Sequence, residues 1–300
     1  IWLPLAIGII SAILLSEKTL IELYVESLKK FELFAILKFL VVTLLVLPLL
    51  PDKGYTQFNL NPTSTWKIVI IISSIGFAGY FLIRKLGSRH GLWLSGVLGG
   101  IVSSTAVSIA VGRIAQKVPE SSRRALRSSL LASSVMYLRI LVIIRIIGPA
   151  FLPFIWWKLV ALSGLGLVFS LYFRKRVATS KGVDFSTLRN PFEITPAIIF
   201  ASLFITLQVA TSLVKDYFGN AGLYVLSFIV GVTDIDPFIL SLVHGNPAVT
   251  KVLVDAIIIS MMGNTLIKGI YFGGLAREAR NQAFLRYGLW TLLHLPFLFM

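Results

Sequence analysis

Long apolar runs separated by short polar connectors make up almost all of this chain. The runs fall at roughly 1-15, 33-50, 66-86, 91-112, 125-147, 151-173, 194-215, 222-243, 250-273 and 284-299. A bilayer core of ~30 Å asks for about 20 apolar helical residues, so the pattern predicts an all-α fold: a polytopic transmembrane helical bundle of about ten spans. The runs leave no stretch for a separate soluble domain. The expected organisation is a leading helix and an amphipathic connector over 1-32, then a single transmembrane domain over 33-300. Residues 16 to 32 place apolar side chains at helical spacing, as a helix lying on a membrane surface does. Trp66, Trp156 and Trp157 sit at predicted span starts, where interfacial aromatics collect.

The apolar pattern also repeats. A shift of 131 positions lays "HGLWLSGVLGGIVSSTAVSI" (90 to 109) on "AGLYVLSFIVGVTDIDPFIL" (221 to 240) without a gap, matching Gly91 with Gly222, Leu92 with Leu223 and Gly100 with Gly231. Upstream, Arg84 meets Lys215; downstream, after a small change of register, Arg139 meets Lys268. The copies cover roughly 66-147 and 197-273. If every span crosses, copies four spans apart are parallel; if the 151-173 segment does not cross, they are inverted. A weaker match of "KFELFAILKFL" to "PFEITPAIIFA" fits the inverted case. Repeats in transporters meet at the bilayer midplane, where each supplies half of a site.

Polar residues inside the runs mark where that site would be. "GVTDIDP" puts Asp234 and Asp236 in the middle of an apolar stretch, and intramembrane carboxylates are costly enough to be functional by default. On a continuous helix, positions i and i+2 point about 200° apart, so joint action requires a helix break. Gly231 and Pro237 supply one, with Asp236 expected as the N-cap of a helix starting at Pro237. In the first copy Gly99 and Gly100 are expected to loosen the helix, with Ser103, Ser104 or Thr105 as caps. Ser260, Asn264 and Lys268 recur at i, i+4 and i+8 and form one polar stripe. Lys268 and Arg139 are then charge partners or gating residues, with the aspartates as the obvious counter-ions.

Composition and charge change this picture little. The 300 residues are 56% hydrophobic and 14% charged, and the formal charge of +15 is spread over short connectors. It reads as topology signal and contact with anionic lipid, not as nucleic-acid binding. Two basic connectors, with Arg113, Lys117, Arg123 and Arg124 in one and Arg174, Lys175, Arg176, Lys181 and Arg189 in the other, lie on one side by alternation. The equally basic "RKLGSRH" (84 to 90) falls on the wrong side of that scheme. Cysteine is absent, which removes disulfides, thiolate metal sites and cysteine nucleophiles. His90, His244 and His294 show no ligand spacing, and no catalytic motif stands out, so neither an enzyme nor a cofactor is expected. A chain opening on Ile1 is read as part of a longer protein.

The strings "LVLPLLPDK", "GFAGYFLIRKLGSRHGLWLSGVLGGIVSSTAVSIAVGR", "SSVMYLRILV", "NPFEITPAIIFA", "GLYVLSFIVGVTDIDPFILSL" and "GNTLIK" resemble, in order, the membrane domain of unknown function found C-terminal to MgtC/SapB domains. The resemblance implies a multi-pass protein of a bacterial or archaeal cell membrane, contact with an MgtC-like domain, and a loose link to magnesium physiology. Carboxylate and hydroxyl oxygens suit such hard cations. The expectation is a cation transporter or channel, for a divalent metal such as magnesium, with Asp234 and Asp236 as metal ligands. Ser103, Ser104, Thr105 and Asn264 complete the ion site. Its partners are the bilayer and a small cation, and a homo-oligomer is compatible with it. The alternatives are a non-transporting regulator or lipid-binding scaffold, or a transporter of an anionic substrate held by Lys268 and Arg139.

Overall fold

A computed structural model describes residues 2–19, 22, 30–58, 60–86, 91–171, 194–245 and 248–300. The connector carrying Arg174 to Arg189 and most of the expected surface helix at 16 to 32 lie outside the described residues. All regular structure among the described residues is helical, with one isolated bridge pairing Tyr55 and Leu60. Apolar side chains such as Leu5, Ile9, Leu15, Leu44 and Ile199 point outward from the bundle, as they must in contact with lipid.

Among the described residues, seven helices are long and apolar enough to cross a membrane, where the hydrophobic runs suggested ten. Three runs account for the difference. The first is realised as α1 (Trp2–Ser16), only 15 residues. Run 222-243 is split by a turn, and run 284-299 forms two short helices with a turn between them. Hydropathy over a window registers apolar content and is blind to where the backbone bends.

The remaining elements are α2 (Lys30–Leu40), α3 (Pro62–Leu86), α4 (Gly91–Lys117), α5 (Ser122–Ile147) and α6 (Leu152–Leu171). After them come α7 (Ile194–Val230), α8 (Ile235–Gly245), α9 (Lys251–Leu275), α10 (Arg280–Leu292) and α11 (Pro296–Phe299). The centre of the bundle is α5, whose inner face is lined with small residues. Buried Ser128, Ser129, Ser133 and Ser134 let neighbouring backbones approach closely, as small residues do in membrane helices.

Contacts to α5 give the direction of α4. Its first part runs alongside α5 in the same sense: Ser128 Oγ donates to the Leu92 carbonyl at 2.8 Å, and Gly100 faces the Ala132 backbone. Ser103 then leaves helical conformation (φ −161°, ψ 106°). Beyond it the sense reverses, since Ser129 Oγ donates to Ser108 Oγ at 2.8 Å and Ser122 Oγ to the Ala115 carbonyl at 3.5 Å. Both parts of α4 therefore flank the same N-terminal portion of α5.

The other half of the chain does the same against α9. Within α7, Gly219 takes the left-handed conformation (φ 62°), which glycine adopts without a Cβ penalty. After it, Tyr224 OH donates to Asp255 at 3.4 Å near the start of α9, and Gly231 lies against Ser260 and Gly263 farther along. The returning piece is α8: Asp236 faces Arg139 in mid-α5, and Val243 meets Gly148 just beyond the end of α5. That end of the bundle is the one where α9 begins.

α6 runs antiparallel to α5, with Ser163 Oγ on the Ser134 carbonyl at 3.0 Å and Ser170 Oγ on the Arg127 carbonyl at 3.4 Å. α10 and α11 together retrace α6, through Trp290 Nε1 on the Leu162 carbonyl (3.1 Å) and Lys158 Nζ on the Phe297 carbonyl (2.7 Å).

Candidate functional site

The chain between α7 and α8 turns at Gly231, Val232, Thr233 and Asp234. Gly231 is required there by packing: a Cβ would lie 2.6 Å from the Ser260 carbonyl oxygen and 2.9 Å from the Asn264 nitrogen. Turning frees carbonyls that must find donors where the backbone is buried. Asn264 supplies them, its Nδ2 donating to the Gly231 carbonyl at 3.0 Å and the Thr233 carbonyl at 3.4 Å. Val232, Thr233 and Asp234 are exposed on the outer side of the turn, whereas Asp236 is buried.

The capping role expected of Asp236 falls to Asp234. The helix starts at Ile235, not Pro237, and Asp234 caps it, Oδ1 accepting from the Asp236 N–H at 3.2 Å. Pro237 falls on the third helical residue, where a missing N–H costs nothing because the first four have no intrahelical partner. Asp236, in the first turn, is the residue with a cation. Arg139 Nη2 donates to both of its oxygens at 2.7 and 2.6 Å, and the two side chains are only 12% and 6% exposed.

In α4 the departure from helical geometry falls on Ser103, and Gly99 and Gly100, expected to loosen the helix, are themselves helical and buried. Gly100 serves close packing, since a Cβ would sit 2.6 Å from the Ala132 carbonyl oxygen. Ser103 is the cap: its Oγ accepts from the Ala106 N–H at 3.2 Å. The neighbouring Ser104 Oγ accepts from Lys268 Nζ at 2.6 Å. Thr105 is half-buried.

Lys268 is fully buried, and the expected aspartates act on it only from a distance, without touching it. Besides Ser104 it reaches Met136 Sδ at 2.9 Å, and among the described residues no carboxylate forms an ion pair with it. Met136 stands three positions before Arg139, hence on the same face of α5. One turn of α5 thus meets both sites: Lys268 of α9 at Ser104 of α4, and its own Arg139 at Asp236 of α8. The predicted stripe is realised, with Ser260, Asn264 and Lys268 all buried. The Oδ1 of Asn264 and the Nε of Arg139 are buried without a partner.

Sequence reasoning missed Met136 and a second buried cluster beside it. Tyr137 OH lies 2.6 Å from Thr265 Oγ1 and 2.8 Å from His294 Nε2, while His294 Nδ1 is 2.8 Å from the Trp290 carbonyl. Helical spacing from Arg139 could have drawn attention to Met136, and spacing from Lys268 to Thr265. Nothing in the sequence places His294 beside them.

Residues 70–275 match a family described as a domain of unknown function, DUF4010. The chain belongs to that family. It is 30% identical over 216 residues to an uncharacterized protein of Aquifex aeolicus (strain VF5), a match covering 70% of this chain and 93% of that protein. No solved structure matches. Neither relation carries an activity, and neither bears on the MgtC/SapB association that the resemblance implied. Together with the seven apolar helices, they make this a multi-pass helical membrane protein whose family has no assigned function.

Proposed function

We propose that the chain is a membrane transporter whose site lies at mid-depth, between two helical hairpins entering the bundle from opposite ends. One observation carries this reading: α4 turns back at Ser103 while α7 and α8 turn back at Gly231–Asp234, and both turns meet buried charges within one turn of α5. Non-helical backbone at membrane depth is tolerated where protein buries it or where it lines a hydrated cavity. Transporters build substrate sites from such discontinuous helices.

The internal repeat acquires a physical content on this reading. The shift of 131 that aligns the sequences lays Ser103 on Asp234, and each caps the returning arm of its hairpin. Because the first hairpin opens at the end where α5 begins and the second at the end where it finishes, the two copies are inverted. The reason differs from the one considered for 151-173: α6 runs the length of α5, and the hairpins are what fail to cross. The charge pattern supports this. With α4 returning, its start at Gly91 and its end at Lys117 share one side, so alternation no longer separates the basic residues that flank α4 in the sequence. That end is cytoplasmic.

A cysteine-free chain makes the test direct. Thr105→Cys and Thr233→Cys, each the sole cysteine, are expected to react with a membrane-impermeant maleimide from either face of a vesicle as the site opens in turn. A regulator or lipid-binding scaffold leaves both unreactive, which overturns the transporter reading. No catalytic step is part of it.

A second reading, a cation at the same site, is favoured by the Asp234 carboxylate, which no cation contacts among the described residues, and the unpartnered Asn264 Oδ1, both hard oxygen ligands. It does not extend to magnesium. Asp236 has both oxygens engaged by Arg139, and among the described residues no cluster of three metal-ligating side chains occurs. Asp234→Asn keeps the cap, so lost cation flux with unchanged stability supports this second reading, and unchanged flux overturns it.

A further inference from the structure

We propose that the substrate of this site is an oxyanion-bearing solute whose charged group sits at the start of the returning arm of α4, against Lys268, Ser104 and Thr105. The proposal rests on the transporter reading and names its substrate class. The two halves of the molecule give the argument between them. In each, a cation from a long helix reaches the first turn of a returning arm: Arg139 reaches α8, and Lys268 reaches the second part of α4. At Arg139 the first turn answers with a carboxylate, Asp236, which binds through two oxygens. At Lys268 the aligned position is Thr105, which has no charge to offer.

The ammonium of Lys268 is therefore buried against a helix N-terminus, the positive end of the helix dipole, with one hydroxyl and one thioether for three N–H donors. A thioether is a weak acceptor, and burying a charge without a counter-charge in contact is costly. Asp236 is committed to Arg139 and Asp234 to the N–H of Asp236, so both act on Lys268 only from a distance. An oxyanion at Thr105 would complete the first half as Asp236 completes the second, accepting from Lys268 at the N-terminal end of the returning arm. A cation at Asp234 would balance the charge it brings.

The test uses the purified full chain, with melting temperature as readout and sodium acetate, lactate, succinate, phosphate and sulfate as probes against sodium chloride. At saturation at least one oxyanion is expected to raise the melting temperature by roughly 5 °C or more while chloride does not. A response to the carboxylates assigns the site to an organic acid; a response to phosphate or sulfate alone assigns the same site to an inorganic ion. Lys268→Gln abolishes the response. Thr105→Asp provides a variant that does not depend on losing a buried charge: it supplies in cis the carboxylate of the other half, so it raises the melting temperature without ligand and removes the oxyanion response. No oxyanion response in the wild type, a response equalled by chloride, or a Thr105→Asp variant that is less stable and still responds overturns the proposal. If maleimide labelling from both faces persists alongside such a result, the substrate class is wrong and the transporter reading stands. Unreactive cysteines remove the transporter reading itself.

Discussion

Removing one member of the Arg139–Asp236 pair should be far worse than removing both. Arg139 Nη2 holds both oxygens of Asp236 at 2.7 and 2.6 Å with little exposure of either side chain. Arg139→Gln strands a buried carboxylate in the first turn of α8, and Asp236→Asn strands a buried guanidinium in mid-α5. Each single change should cost about 3–5 kcal/mol, the usual effect of breaking a buried pair. At about 2–4 °C per kcal/mol for a large domain, the melting temperature should fall by about 6–20 °C. The double variant leaves two neutral amides able to hydrogen-bond, so most of the loss should return, giving a coupling of about 4 kcal/mol or more in the cycle. Thermal unfolding of the detergent-solubilised wild type and three variants measures this. A double variant that loses as much as the two single changes added together would refute the claim that the pair couples α8 to α5.

Further predictions follow from the two turns and their packing. Gly100→Ala and Gly231→Ala each push a methyl to 2.6 Å from a backbone carbonyl oxygen of the facing helix, so each should cost about 1–3 kcal/mol, seen as a lower melting temperature. Gly164→Ala, where an added Cβ would meet nothing within 4 Å, should cost less. Ser103→Ala removes a cap and should cost about 1 kcal/mol, whereas Ser103→Asp should be close to neutral; chemical denaturation of the two variants separates them. Asn264→Ala leaves the Gly231 and Thr233 carbonyls without their donor and should destabilise by about 1–3 kcal/mol. A stability equal to wild type would mean that water replaces the amide.

Much of the site was legible in the sequence because it rests on local chemistry. A glycine followed by hydroxyls or carboxylates within an apolar run marks a helix interruption, and the shift of 131 pairs the two residues that prove to be caps. Helical spacing alone put Ser260, Asn264 and Lys268 on one buried face. Two things were out of reach. Whether a helix continues through an interruption or folds back depends on its packing against α5 and α9, through pairs such as Ser128 with Leu92 and Ser108 with Ser129 that are 36 and 21 positions apart. That is why a hydropathy count reads one straight span where the backbone changes direction. The partner of each cation was equally hidden: Arg139 and Lys268 could be matched as counterparts, but their exchange across the halves, one to a carboxylate and one to a serine, follows only from tertiary placement. The cap at Asp234 rather than Asp236 turned on a two-residue difference in where α8 begins, smaller than sequence patterns resolve.

The central claim is that the two hairpins enter from opposite faces and return, and single cysteines at their mouths test it most directly. In oriented vesicles, Gly91→Cys and Glu120→Cys, flanking the first hairpin, should be labelled by a membrane-impermeant maleimide from the same, cytoplasmic face. Asn220→Cys and Ala248→Cys, flanking the second, should be labelled from the other face. Labelling of Gly91→Cys and Glu120→Cys from opposite faces would mean that α4 crosses the membrane, and would contradict the account.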